Sequence, residues 1–219
     1  MSEPSVTLPS VHTRRTFLGV MAAGLSATCV APSVALGVST AMPSRASVLQ
    51  SMSTRVDFRY RHAWAEEDPA HRLLKQAATY SRVTIHHTGS SINHHTREAD
   101  VAYDIEAIRI GHRGRNFGDI GYHFIVDRSG RAWEGRSLQY IGAHVSSEND
   151  ENIGVMLLGN FERQRPADRQ IASLDALIEV VRQRFGIPAY RVYGHRDLGQ
   201  TLCPGQHLYG HVLHLVQTG

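Results

Sequence analysis

The chain has 219 residues, of which 42% are hydrophobic and 20% charged, with a formal net charge of +3 at pH 7 when histidine is counted as neutral. It is long enough for one domain with a buried core that needs no disulfide staples. The charge excess is mild, and no basic run is interleaved with aromatic residues, which argues against nucleic-acid binding.

The first 35 residues have the pattern of an export signal. Arg14 and Arg15 precede an apolar stretch at 17–36, and Ser33 and Ala35 have the spacing that a signal peptidase requires. Paired arginines before such a stretch indicate a twin-arginine signal that is removed from the mature protein. The alternative is a retained anchor, but its many small and polar residues make the stretch too weakly apolar for a membrane span of about 20 residues. We therefore expect export through the twin-arginine translocase to the periplasm or the medium.

The two cysteines lie on either side of the expected cleavage site. Cys29 would leave with the signal, or would carry a lipid if the signal were of the lipoprotein type, which Thr28 fits poorly. Cys203 is then the single thiol of an exported protein and has no partner for an internal disulfide. A bound metal is the best explanation for such a thiol.

The mature chain divides into a linker and one domain. Residues 36–57 are rich in serine, threonine, alanine and proline, which predicts a flexible linker. Folded structure is expected at 58–219. No internal repeat is visible in this stretch, so a single domain is predicted.

Apolar periodicity predicts the elements of this domain. The β-branched run at 82–87 predicts a strand, and the apolar run at 152–158 predicts a strand that is buried on both faces. The other predicted elements are helices at 71–80, 96–112, 168–185 and 207–216, a hairpin within 121–134 and a short strand at 191–193. Strands that alternate with helices, together with one hairpin, predict an α/β fold with a mixed central sheet flanked by helices.

Two segments carry residues suited to a metal site. The strand at 82–87 ends in His86 and His87, and a loop bounded by glycine and proline holds His195 and Cys203 eight positions apart. One strand histidine with His195 and Cys203 would form a three-ligand zinc site whose fourth position is open to water, as in catalytic zinc sites. Neighbouring strand residues point to opposite faces, so only one of the two strand histidines can be a ligand, and periodicity does not choose between them.

Five segments occur in a set order along the domain. They are VTIHHT at 83–88, DIGYHF at 119–124, IGAH at 141–144, NIGVMLLG at 152–159 and YGHRDLGQTLCPG at 193–205. Together they resemble the N-acetylmuramoyl-L-alanine amidases of type 2, a family that includes phage amidase-lysozymes and peptidoglycan recognition proteins. The resemblance covers about residues 80–216 and implies the mixed-sheet fold of these proteins. It also implies one catalytic zinc ion held by His86, His195 and Cys203.

The same resemblance implies roles for four further residues. Tyr122 matches the catalytic tyrosine of the family, and Thr201 matches a position two before the cysteine that is threonine in catalytic recognition proteins. Both hydroxyls are suited to orienting water or stabilising a tetrahedral oxygen, and the sequence does not separate their roles. A tyrosine on a strand or a threonine before a cysteine is usually structural, but their register with the zinc ligands favours catalysis. His144 and His112 match groove positions that contact substrate.

We therefore expect a monomeric, exported zinc amidase that hydrolyses the amide between the lactyl group of N-acetylmuramic acid and L-alanine in peptidoglycan. The alternative is a non-catalytic module that binds muropeptides in the same groove. Family members that only bind typically lack the cysteine ligand, and this chain keeps Cys203. A cytoplasmic recycling amidase is disfavoured by the export signal and by cysteine where those enzymes carry aspartate.

Overall fold

A six-stranded sheet organises the part of the chain that the computed structural model describes, residues 42–218. The strands are β1 (Phe58–Arg59), β2 (Arg82–His87), β3 (Phe124–Val126), β4 (Ala132–Glu134), β5 (Asn152–Leu157) and β6 (Val192–Gly194). Their order across the sheet is β1-β4-β3-β5-β2-β6. Among them, β3 and β4 form an antiparallel hairpin and the other neighbouring pairs are parallel. The expected signal at 1–35, Cys29 within it, and residues 36–41 of the expected linker lie outside the described residues.

Helices cover both faces of this sheet. On one face α1 (Arg45–Ser53), α3 (Asp168–Phe185) and α4 (Gln206–Thr218) join the larger core cluster, and on the other α2 (Glu98–Arg113) joins the smaller one. Strand alternation sends Ile85 of β2 into the larger cluster and Met156 of β5 into the smaller one. The predicted α/β fold with a mixed sheet is confirmed. None of the described helices is long and apolar enough to cross a membrane.

The strongest sequence patterns produce elements with the expected bounds. β2 covers the predicted strand, and all six residues of β5 are buried because helices cover the sheet on both sides. In α3 the apolar side chains of Leu174, Ile178 and Val181 recur on one face and are buried against the sheet. That helix ends at Gly186, whose φ of +67° favours glycine.

The prediction of a flexible linker is wrong for residues 45–53, which form α1. Ser44 begins the helix, and its Oγ accepts a hydrogen bond from the backbone N–H of Ser47 at 3.2 Å. Val48, Leu49 and Met52 are buried in the larger core cluster, where α1 packs against α3. These three side chains share one helical face, and their burial offsets the poor helix propensity of the surrounding serines.

The predicted helix at 71–80 is also wrong. The chain makes one 3-10 turn at His71–Leu73 and then runs extended, with Gln76 forming an isolated bridge to Tyr140. Leu73 is 42% exposed, so this segment offers no buried apolar stripe that would support a helix. Tyr80 closes the segment, and its hydroxyl donates a hydrogen bond to the carbonyl of Tyr140 at 2.9 Å.

Candidate metal centre

Two neighbouring parallel strands bring the predicted ligands to one edge of the sheet. β2 ends in His86 and His87, and β6 pairs with it so that Ile85 lies opposite Gly194. A 3-10 turn at His195–Asp197 follows β6 directly. Because the carboxyl ends of parallel strands meet at the same edge, His195 emerges beside His86.

The two strand histidines point to opposite faces, as the alternation requires. His86 is 1% exposed and lies with His195 and Cys203. His87 turns away, and its Nδ1 accepts a hydrogen bond from the backbone N–H of Phe161 at 3.1 Å. The structure thus groups His86, and not His87, with the other two predicted ligands.

The three side chains form a donor set with the dimensions of a zinc site. One ligand atom of each of His86, His195 and Cys203 lies within 4.8 Å of the others, and this is the one such group among the described residues. The Sγ of Cys203 is 3.7 Å from Nδ1 of His86. Tetrahedral zinc with these ligand types requires separations of about 3.3–3.6 Å between ligand atoms, so the His86–Cys203 pair is already close to the required distance, and the set of three, within 4.8 Å, would contract around an ion. Two imidazoles and one thiolate suit zinc and leave a fourth position open.

The thiol of Cys203 is held in place by backbone groups. Its Sγ accepts a hydrogen bond from the backbone N–H of His87 at 3.4 Å, and its own N–H donates to Oγ1 of Thr201 at 3.2 Å. Burial raises the pKa of this thiol to about 12. A cation at the centre would favour the thiolate and offset that burial.

Tyr122 stands beside the ligands in a groove that opens to solvent. Its ring centroid is 5.1 Å from that of His86 and 5.6 Å from that of His112. The groove is also lined by His144 and His195. No other described residue forms a hydrogen bond with the Tyr122 hydroxyl, and burial raises its pKa above the ordinary value. The hydroxyl is therefore a protonated donor that is free to meet a ligand in the groove.

The two histidines predicted to contact substrate differ in their surroundings. Nδ1 of His112 accepts a hydrogen bond from the backbone N–H of Gly121 at 2.8 Å, which leaves its Nε2–H for the groove. His144 is 9% exposed, and its Nδ1 lies 3.0 Å from Nε2 of His86. Both rings line the groove, and their contact with substrate stays a prediction. The contact of His144 with His86, a predicted zinc ligand, was not foreseen from the sequence.

Thr201 lies in the loop before α4, and its hydroxyl accepts the Cys203 N–H, as a turn residue would. Its O–H remains available to donate. The catalytic role expected for Thr201 stays a prediction.

Buried neutral histidines should make the protein sensitive to acid. Burial lowers the pKa of His112 to about 4 and that of His123 to about 3, against about 6.5 in an unfolded chain. At a pH between the folded and unfolded pKa values, the unfolded chain binds more protons than the folded protein does. The stability that comes from keeping these rings neutral is therefore complete above about pH 6.5 and is lost as the pH falls toward 4. Urea unfolding at pH 7.5 and pH 5, with a chelator present, should give a clearly smaller free energy of unfolding at pH 5.

A matched pair of variants checks this cause. His123→Gln should make the loss between pH 7.5 and pH 5 smaller, because one of several buried histidines with a lowered pKa is gone. His94→Gln, at an exposed position, should leave it unchanged. Equal pH dependence in the wild type and in both variants would contradict the assignment to His123.

Comparisons with known proteins find relatives along most of the described domain. The family model described as N-acetylmuramoyl-L-alanine amidase matches residues 76–206. A peptidoglycan-recognition protein of Drosophila melanogaster is 30% identical over 149 residues, which are 68% of this chain and 81% of that protein. A human N-acetylmuramoyl-L-alanine amidase is 34% identical over 97 residues, 43% of this chain and 17% of that protein. A solved structure of tracheal cytotoxin bound to the ectodomain complex of recognition proteins PGRP-LCa and PGRP-LCx matches with a TM-score of 0.64 at 27% identity, covering 71% of this chain and 93% of that chain.

Proposed function

The chain belongs to the family of N-acetylmuramoyl-L-alanine amidases, whose model matches residues 76–206, and we propose that it is a zinc-dependent enzyme of this family. Its reaction would be hydrolysis of the amide between the lactyl group of N-acetylmuramic acid and L-alanine in peptidoglycan. The observation that carries the proposal is the grouping of His86, His195 and Cys203 with ligand atoms within 4.8 Å of one another. Three protein ligands and an open position are the arrangement of a catalytic zinc site.

Each residue of the site would have a distinct role in this reaction. His86, His195 and Cys203 would hold the ion. Zinc bound there would supply Lewis acidity to the amide carbonyl and bring the pKa of a water molecule toward about 7. The Tyr122 hydroxyl is protonated and faces the groove, so it would donate a hydrogen bond to the amide oxygen as negative charge develops. Thr201 would add a second hydroxyl donor from the loop that carries Cys203.

A recognition role is the second candidate, because relatives at 30% identity are named peptidoglycan-recognition proteins. Such a module would bind a muropeptide in the groove lined by His112, Tyr122 and His144 and release it unchanged. The same groove would serve either role, so its shape does not distinguish them. The intact donor set with Cys203 favours the enzyme.

One experiment separates the two candidates. The mature protein, loaded with zinc or treated with a chelator, is incubated with purified peptidoglycan fragments, and the products are analysed by mass spectrometry. The enzyme should yield free peptide beginning with L-alanine and glycan with a free lactyl carboxylate, with one water added per cut, only when zinc is present. Binding of the fragments without any cleavage would support recognition instead.

We also propose that the protein acts outside the cytoplasm, after export by the twin-arginine route. Arg14 and Arg15 support this, since paired arginines before an apolar stretch are the mark of that route. An Arg14→Lys, Arg15→Lys double variant should accumulate as unprocessed precursor in the cytoplasm, which cell fractionation with immunoblotting measures. Normal processing and export of the double variant would contradict the twin-arginine proposal and leave the amidase proposal intact.

A further inference from the structure

A line of hydrogen bonds runs from the backbone of β5 to the candidate metal centre. Nε2 of His144 lies 3.1 Å from the carbonyl oxygen of Asn152, and Nδ1 of the same ring lies 3.0 Å from Nε2 of His86. On the far side of its ring, Nδ1 of His86 faces Sγ of Cys203 at 3.7 Å. The Asn152 carbonyl, the two imidazoles and the Cys203 thiol are thus connected one after another.

The direction of each bond follows from the chemistry of its partners. A carbonyl oxygen only accepts, so the Nε2–H of His144 must donate to Asn152. In a neutral ring Nδ1 is then an acceptor, so the Nε2–H of His86 must donate to it. Both rings are buried, and desolvation favours their neutral forms. The lone pair of His86 is therefore left on Nδ1, the atom that faces Cys203.

Two glycines leave room for the His144 ring. A Cβ added at Gly142 or at Gly154 would lie 2.5 Å from Cδ2 of His144. Gly154 is in the middle of β5, where a glycine costs about 0.5–1 kcal/mol relative to alanine and packs nothing itself. The glycine is explained if the His144 ring must pack directly against the backbone of the strand.

The first two residues of the line, Asn152 and His144, are also held in place. The side chain of Asn152 is fully buried; its Oδ1 accepts from the Thr84 hydroxyl at 2.9 Å, and its Nδ2 donates to the Glu148 carbonyl at 2.8 Å. The backbone N–H of His144 donates to Oδ1 of Asn149 at 2.8 Å. Neither the carbonyl acceptor nor the imidazole can move far without breaking buried hydrogen bonds.

We propose that His144 is a positioning residue that holds the Nε2–H of His86 and thereby aims the Nδ1 lone pair of His86 at the metal. This inference rests on the proposed zinc site and gives His144 a task besides the contact with substrate predicted for it. A hydrogen bond to the distal nitrogen of a metal-bound histidine fixes its orientation and raises its basicity. His144 reaches into the groove as well, so it would join substrate and metal through one ring.

The test measures zinc affinity directly, by competition with a chromophoric chelator, in the wild type, His144→Ala and His144→Gln. His144→Ala should weaken zinc binding by about 10–100-fold, the usual effect of losing such a partner. His144→Gln should recover part of that loss, because its amide oxygen accepts from His86 while its amide nitrogen donates to Asn152. Nitrogen-15 spectra of the zinc-loaded wild type should show a slowly exchanging Nε2–H on His86 that is absent in His144→Ala.

Glycine variants supply a second route to the same result if His144→Ala folds poorly. Gly154→Ala keeps both nitrogens of His144 but displaces the ring, so it should weaken zinc binding in the same way. Gly210→Ala is the matched control, because a Cβ there meets nothing within 4 Å, and it should bind zinc as the wild type does. Circular dichroism on every variant shows which of them are folded.

The outcomes separate failure of this inference from failure of the proposed function. If folded His144→Ala and Gly154→Ala bind zinc as the wild type does and only the KM for peptidoglycan fragments rises, His144 is a substrate contact alone and the inference is overturned. If the wild type itself takes up no zinc, the proposed function fails and the inference fails with it.

Discussion

A Cys203→Ser variant should lose zinc and amidase activity together. The substitution replaces a thiolate by a hydroxyl that stays protonated and binds zinc poorly, which leaves two histidines to hold the ion. Loss of a hydrogen-bond partner of a metal ligand lowers zinc affinity by about 10–100-fold, and loss of the ligand itself should lower it by more. We expect cleavage to fall to background. Metal content after dialysis and mass analysis of digested peptidoglycan fragments measure the two effects.

Thr201→Ala is the matched control in the same loop. It removes the hydroxyl that accepts the Cys203 N–H but no ligand, so it should keep its zinc. Its rate should still fall, by about 10²–10³-fold if the lost O–H donates fully to the developing oxyanion. Both variants should still bind muropeptide, because other residues build the groove. Full zinc-dependent activity in Cys203→Ser, or loss of metal in Thr201→Ala, would contradict these roles.

The second large effect is expected at Tyr122. Tyr122→Phe keeps the ring that packs beside His86 and removes only the hydroxyl that faces the groove. Zinc content should be unchanged, and kcat should fall by about 10²–10³-fold, or about 2.7–4 kcal/mol in the activation barrier. Because the lost bond would form chiefly in the transition state, kcat should fall with little change in KM, as steady-state kinetics on a soluble muropeptide would show.

Tyr103→Phe provides the control for this tyrosine. Tyr103 lies on α2, is 75% exposed and lines none of the groove described above, so its variant should have wild-type kinetics. If Tyr122→Phe also keeps the wild-type kcat, the tyrosine is a packing residue at the rim of the groove, and the oxyanion must be stabilised by another donor.

Much of the fold could be predicted because its central elements have unambiguous periods. β2 and α3 begin and end where the apolar patterns place them, and β5 is one residue shorter than predicted. α1 was missed because three apolar side chains among serines give a weak helical pattern, whose stability comes from packing on α3. This packing joins residues that are far apart in the chain, so a short window of sequence does not reveal it.

The candidate site could likewise be predicted only in part from the sequence. Strand alternation predicted that His86 and His87 point apart, but assigning the inward position to His86 depended on family resemblance. The contact between His144 and His86 joins residues 58 positions apart, and it depends on the pairing of β2 with β5 and on the packing of the His144 ring against Gly154. The one local signal was Gly154, a glycine inside an otherwise apolar strand, which indicates that another group approaches the backbone closely.

The order of the strands has a consequence for how the protein is made. β2 lies between β5 and β6, both of which are synthesised after it, so its two edges stay unpaired while the ribosome continues. His86 and Cys203 are 117 positions apart, which takes on the order of ten seconds to translate. During that interval a nascent chain exposes an apolar strand that carries one of the three predicted ligands. The predicted metal site can therefore be complete only after Cys203 has been synthesised and β6 has paired with β2.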